Sequence, residues 1–183
     1  EYTLPLDGNN FQTGTTYMKW SANGYRLPTE GEWEYVARAQ TSGAFPYDEP
    51  NYNAGTYNSC SIDASSILNK TAWYCANSYA SVHPVGEKQA NPWGIKDMQG
   101  NVWEWCSDWY GIYPNMAQTD YHGPVAGASR VIRGGGWNSV PQFLRSGYRY
   151  FINPNQSNNV LGFRLLRMAG KLRTNTASGG PSS

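Results

Sequence analysis

Four residues with oxygen donors lie close together near the middle of the chain. Gly100, Val102 and Glu104 are spaced by two, at what we predict to be the start of a strand, and Asp97 reaches in from the preceding turn. Two backbone carbonyls and the carboxylates can therefore converge on one edge. Such an oxygen-only set suits a hard cation such as calcium. From the residues alone, a turn cap at Asp97 and a solvated strand residue at Glu104 remain open interpretations.

The alternation around Glu104 predicts which face of the strand points inward. Val102 and Glu104 share one face, whereas Trp103 and Trp105 share the other. We expect the tryptophan face to be core and the opposite face to carry the carboxylate.

A few further elements can be placed from local patterns. Thr29 and Glu32 form a capping box before an apolar stripe, which predicts a helix from about Glu30 to Ala39 with Trp33 in the core. A short strand is expected at 130–133, and a buried closing strand at 160–166. The composition of 41–91, rich in Asn, Ser and Gly, predicts long irregular structure.

Length and composition restrict the class of protein. The 183 residues suit one domain, and 39% hydrophobic residues suffice for one core. The net charge is +1 and the basic residues are scattered, so we expect no nucleic-acid partner. The sequence contains no run of ~20 apolar residues, so we expect no direct membrane insertion. Three cysteines leave either a Cys60–Cys75 bridge or three free thiols. His83 and His122 lack partners at metal-ligand spacing, and no hydrolase triad is present.

Four ordered motifs together resemble the formylglycine-generating enzyme (sulfatase-modifying factor) family. They are Tyr-Arg-Leu-Pro-Thr-Glu-Gly-Glu-Trp-Glu-Tyr from Tyr25, Gly-Asn-Val-Trp-Glu-Trp from Gly100, Arg-Gly-Gly-Gly-Trp from Arg133 and Leu-Gly-Phe-Arg from Leu161. The resemblance implies an α+β, C-type-lectin-like fold that is loop-rich, with short antiparallel strands and few helices. It assigns 1–168 to one domain that lacks the family's N-terminal strand and first helix, completed by an upstream segment or another chain. Residues 169–183 then form a polar flexible tail.

The same resemblance implies calcium ligands. The turn before the Trp-Glu-Trp strand binds calcium in this family, which carries over onto Asp97, Gly100, Val102 and Glu104. A second family site corresponds by position to Asn53, Ala54, Asn77 and Tyr79. Asn77 replaces an aspartate there, which lowers the charge of that second site.

The family's copper-binding cysteine pair is missing. It corresponds to the neighbourhood of Ser139 and Pro141, and no cysteine follows Cys106, which belongs to another part of the fold. Copper(I) needs soft thiolate ligands. A related branch that oxidatively forms carbon–sulfur bonds holds iron through three histidines on a separate domain, and that set is also missing. We therefore expect a non-catalytic domain. The alternatives are an oxidoreductase of the formylglycine-generating or sulfoxide-synthase type, or a fragment of one, and a structural component of a surface assembly.

The segment 137–160 replaces the cysteine region with aromatic, Asn and Ser residues, which are the types found in adaptable binding loops. This segment resembles that of the variable proteins of diversity-generating retroelements, which display a mutable segment here on the same fold. An ordinary polar loop is the alternative. We predict an exported or surface protein of a bacterium that binds a protein or small-molecule ligand. The predicted contact residues are Trp137, Asn138, Gln142, Phe143, Tyr148, Tyr150, Asn153 and Asn155.

Overall fold

The computed structural model describes residues 24–47, 58–60 and 67–167. The chain divides into two compact units, one of Leu27–Arg164 and one of Glu1–Arg26 with Leu165–Ser183. Within the described residues of the second unit, strand β1 (Tyr25–Arg26) pairs antiparallel with β6 (Leu166–Arg167). In the part of the chain that is described, no helix has the length and apolarity needed to cross a membrane.

Helix α1 runs from Glu30 to Arg38. The Thr29 hydroxyl accepts from the backbone N–H of Glu32 at 3.1 Å, and the Glu32 carboxylate accepts from the backbone N–H of Thr29 at 2.8 Å. This reciprocal pair satisfies two amides that the first helical turn leaves unbonded. Trp33 is 1% exposed. The predicted helix, its capping box and the core position of Trp33 are confirmed.

A four-stranded sheet forms the centre of the larger unit, in the order β4-β3-β2-β5. Its strands are β2 (Trp103–Trp109), β3 (Arg130–Arg133), β4 (Arg149–Ile152) and β5 (Leu161–Gly162). β3 pairs antiparallel with both β2 and β4, whereas β5 pairs parallel with β2. The short, mostly antiparallel strands and few helices confirm an α+β fold, and the strand predicted at 130–133 is present.

The closing strand is shorter and less buried than predicted. After β5 the chain leaves the sheet, and the Phe163 side chain is 65% exposed. The next residue, Arg164, turns to the Glu104 carboxylate. A single buried strand over 160–166 is therefore wrong, because pairing with a buried acid draws the chain away from a regular ladder.

Two clusters of buried side chains make up the core. One lies around α2 (Ile67–Thr71) and the 3-10 helix Pro141–Leu144; its members are Phe45, Leu68, Ala72, Tyr74 and Leu144. The other packs α1 against the sheet; its members are Trp33, Ala37, Met98, Cys106 and Val131. Cys60 and Cys75 form a disulfide, with Cα atoms 5.5 Å apart, beside the first cluster. The bridged alternative is thus the one observed.

The face of β2 that carries Glu104 is buried, contrary to the prediction. Glu104, Cys106 and Asp108 are 6%, 1% and 2% exposed, whereas Trp105 and Trp109 are only half-buried. The predicted core position is confirmed for Trp103, which is also buried, and is wrong for Trp105. Glu104 is tolerated inside because an indole N–H and a guanidinium, both distant in sequence, donate to its oxygens.

Candidate functional site

The carboxylate of Glu104 is the centre of the predicted calcium set. Its Oε2 accepts from Trp33 Nε1 at 2.7 Å and from Arg164 Nε at 2.5 Å, and its Oε1 accepts from Arg164 Nη2 at 2.6 Å. The same Nη2 donates to the backbone carbonyl of Asp97 at 2.7 Å. The fold therefore brings Asp97 and Glu104 together through one shared guanidinium.

The backbone between these two acids is left with oxygens that have no donor. Gly100 is buried and has a φ of 76°, and a Cβ there would stand 2.1 Å from the Trp73 carbonyl oxygen, so glycine is required. Its N–H donates to the Gly134 carbonyl at 2.9 Å. Among the described residues, none donates to the carbonyls of Gly100 and Val102 outside the strand ladder. A buried carbonyl requires a partner, and a cation could provide one.

These residues fit calcium by the chemistry of their donors. Asp97 uses Oδ2 to accept from the Gly86 N–H at 2.7 Å, and within the described part of the chain its Oδ1 accepts nothing. That oxygen, the carbonyls of Gly100 and Val102, and one lone pair on Glu104 form an all-oxygen set of the type calcium takes. An ion bound there would share Glu104 with Arg164. Calcium binding at this set stays a prediction.

The second predicted calcium set falls partly outside the described residues, where Asn53 and Ala54 lie. The Asn77 amide already serves a turn: its Oδ1 accepts from the Tyr74 N–H at 2.9 Å, and its Nδ2 donates to the Ala72 carbonyl at 3.0 Å. Tyr79 has a φ of 52° and a side chain that is 88% exposed. Binding at this second set also stays a prediction.

An aromatic face forms around Trp103; we define it as Trp103, Phe143, Tyr148 and Tyr150. The ring centroid of Trp103 lies 6.3 Å from Phe143, 6.2 Å from Tyr148 and 5.7 Å from Tyr150. Phe143 and Tyr148 are 4.9 Å apart. Burial raises the pKa of Tyr148, so its hydroxyl keeps its proton as a donor. The rings come from β2, the 3-10 helix, the loop that follows it, and β4.

The predicted contact residues divide between this face and local turns. Phe143, Tyr148 and Tyr150 are brought together, whereas Trp103 was not predicted. The side-chain oxygen of Asn138 and the ring of Trp103 both lie 3.3 Å from where a Cβ on Gly136 would stand, which places Asn138 beside the face. The sequence feature that could have identified Trp103 is its place in the Trp-Glu-Trp motif, directly before Glu104.

The remaining predicted contacts have structural partners. Trp137 Nε1 donates to the Asn159 carbonyl at 3.3 Å, and the Gln142 carbonyl accepts from Arg145 Nε at 2.8 Å. Asn153 Oδ1 accepts from the Asn155 N–H at 2.9 Å, which closes a small turn. The Asn153 oxygen therefore serves the loop, and Asn155 is exposed on it.

Buried arginines fix the segment that carries the tyrosines. Arg133 is fully buried and donates through Nη1 to the carbonyls of Ser146 and Tyr148, at 3.2 and 2.5 Å, while its Nη2 pairs with Glu34. Arg149 binds Glu30 with two bonds of 2.8 and 2.7 Å. Helix α1 thereby anchors the aromatic face from behind.

The region that carries cysteines in the enzymes has no thiol. Ser139 Oγ accepts from the Gly136 N–H at 2.9 Å, and Pro141 opens the 3-10 helix. Cys75 donates its backbone N–H to the Ser139 carbonyl at 3.2 Å, but its sulfur is in the disulfide. Burial raises the pKa of the Cys106 thiol well above its ordinary value, so this thiol is inert. Within the described residues, no group of three His, Cys, Asp or Glu side chains could hold a metal.

Comparison with known proteins defines the class to which this fold and site belong. The chain is 36% identical to Treponema denticola variable protein 1 and 32% identical to PvdO from Pseudomonas aeruginosa, each with a TM-score of 0.65. The matches cover 78% and 79% of this chain, and 47% and 53% of those structures. The class is thus the formylglycine-generating type of C-type-lectin-like fold.

Sequence relatives identify the family. The formylglycine-generating enzyme of Streptomyces coelicolor is 34% identical over 166 residues, which is 87% of this chain and 51% of that protein. The serine/threonine-protein kinase pkn1 of Chlamydia caviae is 37% identical over 166 residues, which is 87% of this chain and 23% of the kinase. The chain spans about a quarter to a half of these relatives. Residues 2–169 match the sulfatase-modifying factor enzyme 1-like domain, and the chain belongs to that family.

Proposed function

We propose that this chain is a non-catalytic domain that binds a protein or small-molecule ligand through the aromatic face. One observation carries the proposal: four aromatic rings converge at the segment that follows Ser139 and Pro141, the positions to which the family resemblance assigns the cysteine pair. Tyr150 is 48% exposed at the outer side of the face, whereas Trp103 is 8% exposed behind it. Half-exposed tyrosines backed by a rigid tryptophan give contact area at low entropic cost.

The positions of the cysteines support a binding role over oxidation chemistry. Two are joined in the disulfide and the third is a buried thiol in β2. No thiolate pair is therefore left for copper(I). The similarity to a variable protein of Treponema denticola supports a further proposal, that 138–160 is a segment in which binding specificity changes by substitution.

The structure behind the face supports tolerance to such changes. Arg133 holds the loop through the backbone carbonyls of Ser146 and Tyr148, not through their side chains. Substitution at Tyr148 or Tyr150 therefore leaves these bonds in place. The rim also carries positive charge, since the guanidinium of Arg145 lies 5.6 Å from the ring centre of Tyr148.

We also propose calcium as the structural ion of the domain, held by Asp97, Gly100, Val102 and Glu104. The support is the pair of carbonyls without donors between two carboxylates. The location proposed for the protein, exported or on the surface of a bacterium, agrees with the Cys60–Cys75 disulfide, because such bonds persist in oxidising compartments.

The binding role is tested with a fixed panel of surface proteins and glycans, measured by biolayer interferometry. We expect at least one ligand to bind the wild type and to lose about 100-fold in affinity in the triple variant Phe143→Ala, Tyr148→Ala, Tyr150→Ala. Ile112→Ala is the control, since it removes an apolar side chain that is 92% exposed elsewhere. Unchanged binding by a folded triple variant would overturn the assignment of the face. Copper-dependent conversion of a sulfatase cysteine peptide to formylglycine by the wild type would overturn the non-catalytic role.

A further inference from the structure

A cavity of about 510 Å³ opens beside the first turn of α1, on residues that the aromatic face does not use. It is lined by the start of the helix, by Asp108 near the end of β2, and by the loop 113–122. Its buried lining residues are Asp108, Glu30 and Thr29, at 2%, 3% and 4% exposed. The other walls include the rings of Tyr35, Tyr113 and Tyr121.

The two buried carboxylates differ in their partners. Glu30 accepts from Arg149 in a two-bond pair and lies 3.3 Å from Arg133 Nε, so its charge is balanced. Asp108 Oδ2 accepts from the Glu30 N–H at 2.8 Å and from Ser107 Oγ at 3.3 Å. Within the described part of the chain, no other residue donates to Asp108 Oδ1 and no ion pair forms with this carboxylate; the Arg130 guanidinium, held by the Ser107 carbonyl, acts on it only at longer range. A bound cation would give this buried carboxylate a direct partner.

The walls of the cavity indicate which cation would fit. Among the described residues that line it there is no Lys or Arg, and three tyrosine rings are present. The guanidinium of Arg149 lies 4.0 Å from the centre of the Tyr113 ring, which leaves Tyr35 and Tyr121 as the rings for a bound cation. Pro114 and Met116 add apolar surface. A charged head with a short hydrocarbon stem matches this combination, whereas a metal ion would need several more donors.

We propose that this cavity binds a primary alkylammonium group, with Asp108 as its anionic partner and the tyrosine rings against its stem. The group is that of a small amine or of a lysine side chain. This second site is independent of the proposed function and uses other residues than the aromatic face.

Binding at this site should depend on pH in a way that identifies Asp108. The charged groups around it are Glu30 and Glu32 on α1, Arg130 and Arg133 on β3, Arg149 on β4, and Asp120 and His122 on the loop. Burial, and then the nearby Glu30, raises the pKa of Asp108 to about 6. Amine affinity should therefore fall as the pH drops through about 6, where an ordinary carboxylate would sustain it to near pH 4.

The test is a titration of the whole chain with n-pentylammonium at about pH 7.5, followed by nitrogen-15 chemical shifts, with n-pentanol as the neutral probe. We expect saturable shifts at Asp108 and along 113–122, with pentanol at least about tenfold weaker. Asp108→Asn should lower the amine affinity about tenfold or more. Glu87→Gln is the matched control, because it removes the same charge from an exposed position away from the cavity and should change affinity less than about twofold.

A second variant and a second amine probe complete the test. If Asp108→Asn does not fold, Tyr121→Leu removes an aromatic wall and should weaken the amine about threefold. The amide of Nα-acetyl-lysine distinguishes a lysine side chain from a small amine as the natural ligand. An affinity equal to that of pentylammonium indicates the lysine side chain of a partner protein. Binding of pentylammonium without binding of the lysine derivative indicates a small amine. Equal affinity for pentanol, shifts elsewhere, or unchanged affinity in the folded Asp108 or Tyr121 variants would overturn the proposal. Tyr150→Ala should leave amine binding intact, which separates this site from the aromatic face.

Discussion

At the scale of single residues, two acids on one buried face of β2 have opposite surroundings. Glu104 receives an indole N–H and a guanidinium, so its carboxylate is paired. Asp108, four residues on, receives a backbone amide and a hydroxyl, and within the described part of the chain it forms no ion pair. Burial of Glu104 costs desolvation free energy that its ion pair offsets. Burial of Asp108 costs desolvation free energy without such an offset.

Asp108→Asn should stabilise the protein at neutral pH. Because the folded pKa of about 6 lies above the ordinary 3.8, the ionised carboxylate destabilises the fold above pH 6, and this cost disappears as the pH falls through 6 toward 3.8. The amide oxygen can still accept from the Glu30 N–H. Urea unfolding at about pH 7.5 should show a gain on the order of 2 kcal/mol that shrinks toward pH 4.

The control for that comparison is Glu87→Gln, an exposed site where we expect a change below about 0.5 kcal/mol. A loss of stability in Asp108→Asn at neutral pH would mean that the carboxylate has a stabilising partner. A gain in stability combined with a loss of amine affinity would mark Asp108 as retained for binding at a cost in stability.

At the scale of elements, α1 connects its own capping box to the surface that we assign to ligand binding. Its Glu30 and Glu34 face Arg149 and Arg133 on neighbouring strands, and Arg133 holds the Tyr148 carbonyl. The position of the aromatic face thus depends on the position of the helix. Substitutions that destabilise α1 should therefore also destabilise the sheet.

Thr29→Ala should lower the free energy of unfolding by about 1 kcal/mol, because it removes the hydroxyl that accepts from the Glu32 N–H. Gly31→Ala should act in the opposite direction by about 0.5 to 1 kcal/mol, since a Cβ there meets nothing within 4 Å and alanine favours the helix. Urea unfolding followed by circular dichroism measures both. If both variants changed the free energy of unfolding in the same direction, the conclusion that the capping box fixes the start of α1 would be contradicted.

At the scale of the whole molecule, long irregular segments need support beyond the core. The described part of 41–91 contains one short helix, α2, and the Cys60–Cys75 bridge links two parts of this segment. The backbone N–H of Cys75 in turn donates to the Ser139 carbonyl. The proposed ion would act on the next turn along the chain, between Asp97 and Glu104. Metal binding in such a place contributes directly to folding stability.

Calcium should raise the free energy of unfolding, by about 2.7 kcal/mol at a free concentration 100 times the Kd. Chelation should reverse the gain, magnesium should reproduce little of it, and Asp97→Ala should abolish it, whereas Asp120→Asn on an exposed loop should not. Thermal unfolding and elemental analysis of the undialysed protein measure this. No response of the wild type to calcium would show that Arg164 alone balances Glu104.

Much of the fold followed from the sequence, because its signals are local. The capping box joins residues three apart, and the strand at Arg130–Arg133 precedes a glycine run that ends it. The ordered motifs identified the family, and the lack of cysteines after Cys106 argued against its copper chemistry. Phe143, Tyr148 and Tyr150 could be selected because aromatic residues are concentrated between two motifs.

Other features were decided only by tertiary structure, since their partners are far apart in the chain. Glu104 is buried because Trp33 and Arg164, which are 71 and 60 residues away, donate to it. The alternation of residue types along β2 cannot predict either partner. Trp103 joins the aromatic face for the same reason: its neighbours come from other segments. The lone oxygen of Asp108 is visible only once β2, α1 and a loop enclose a cavity. Sequence patterns determine which elements form, whereas burial and charge pairing depend on which distant side chains the packed elements bring together.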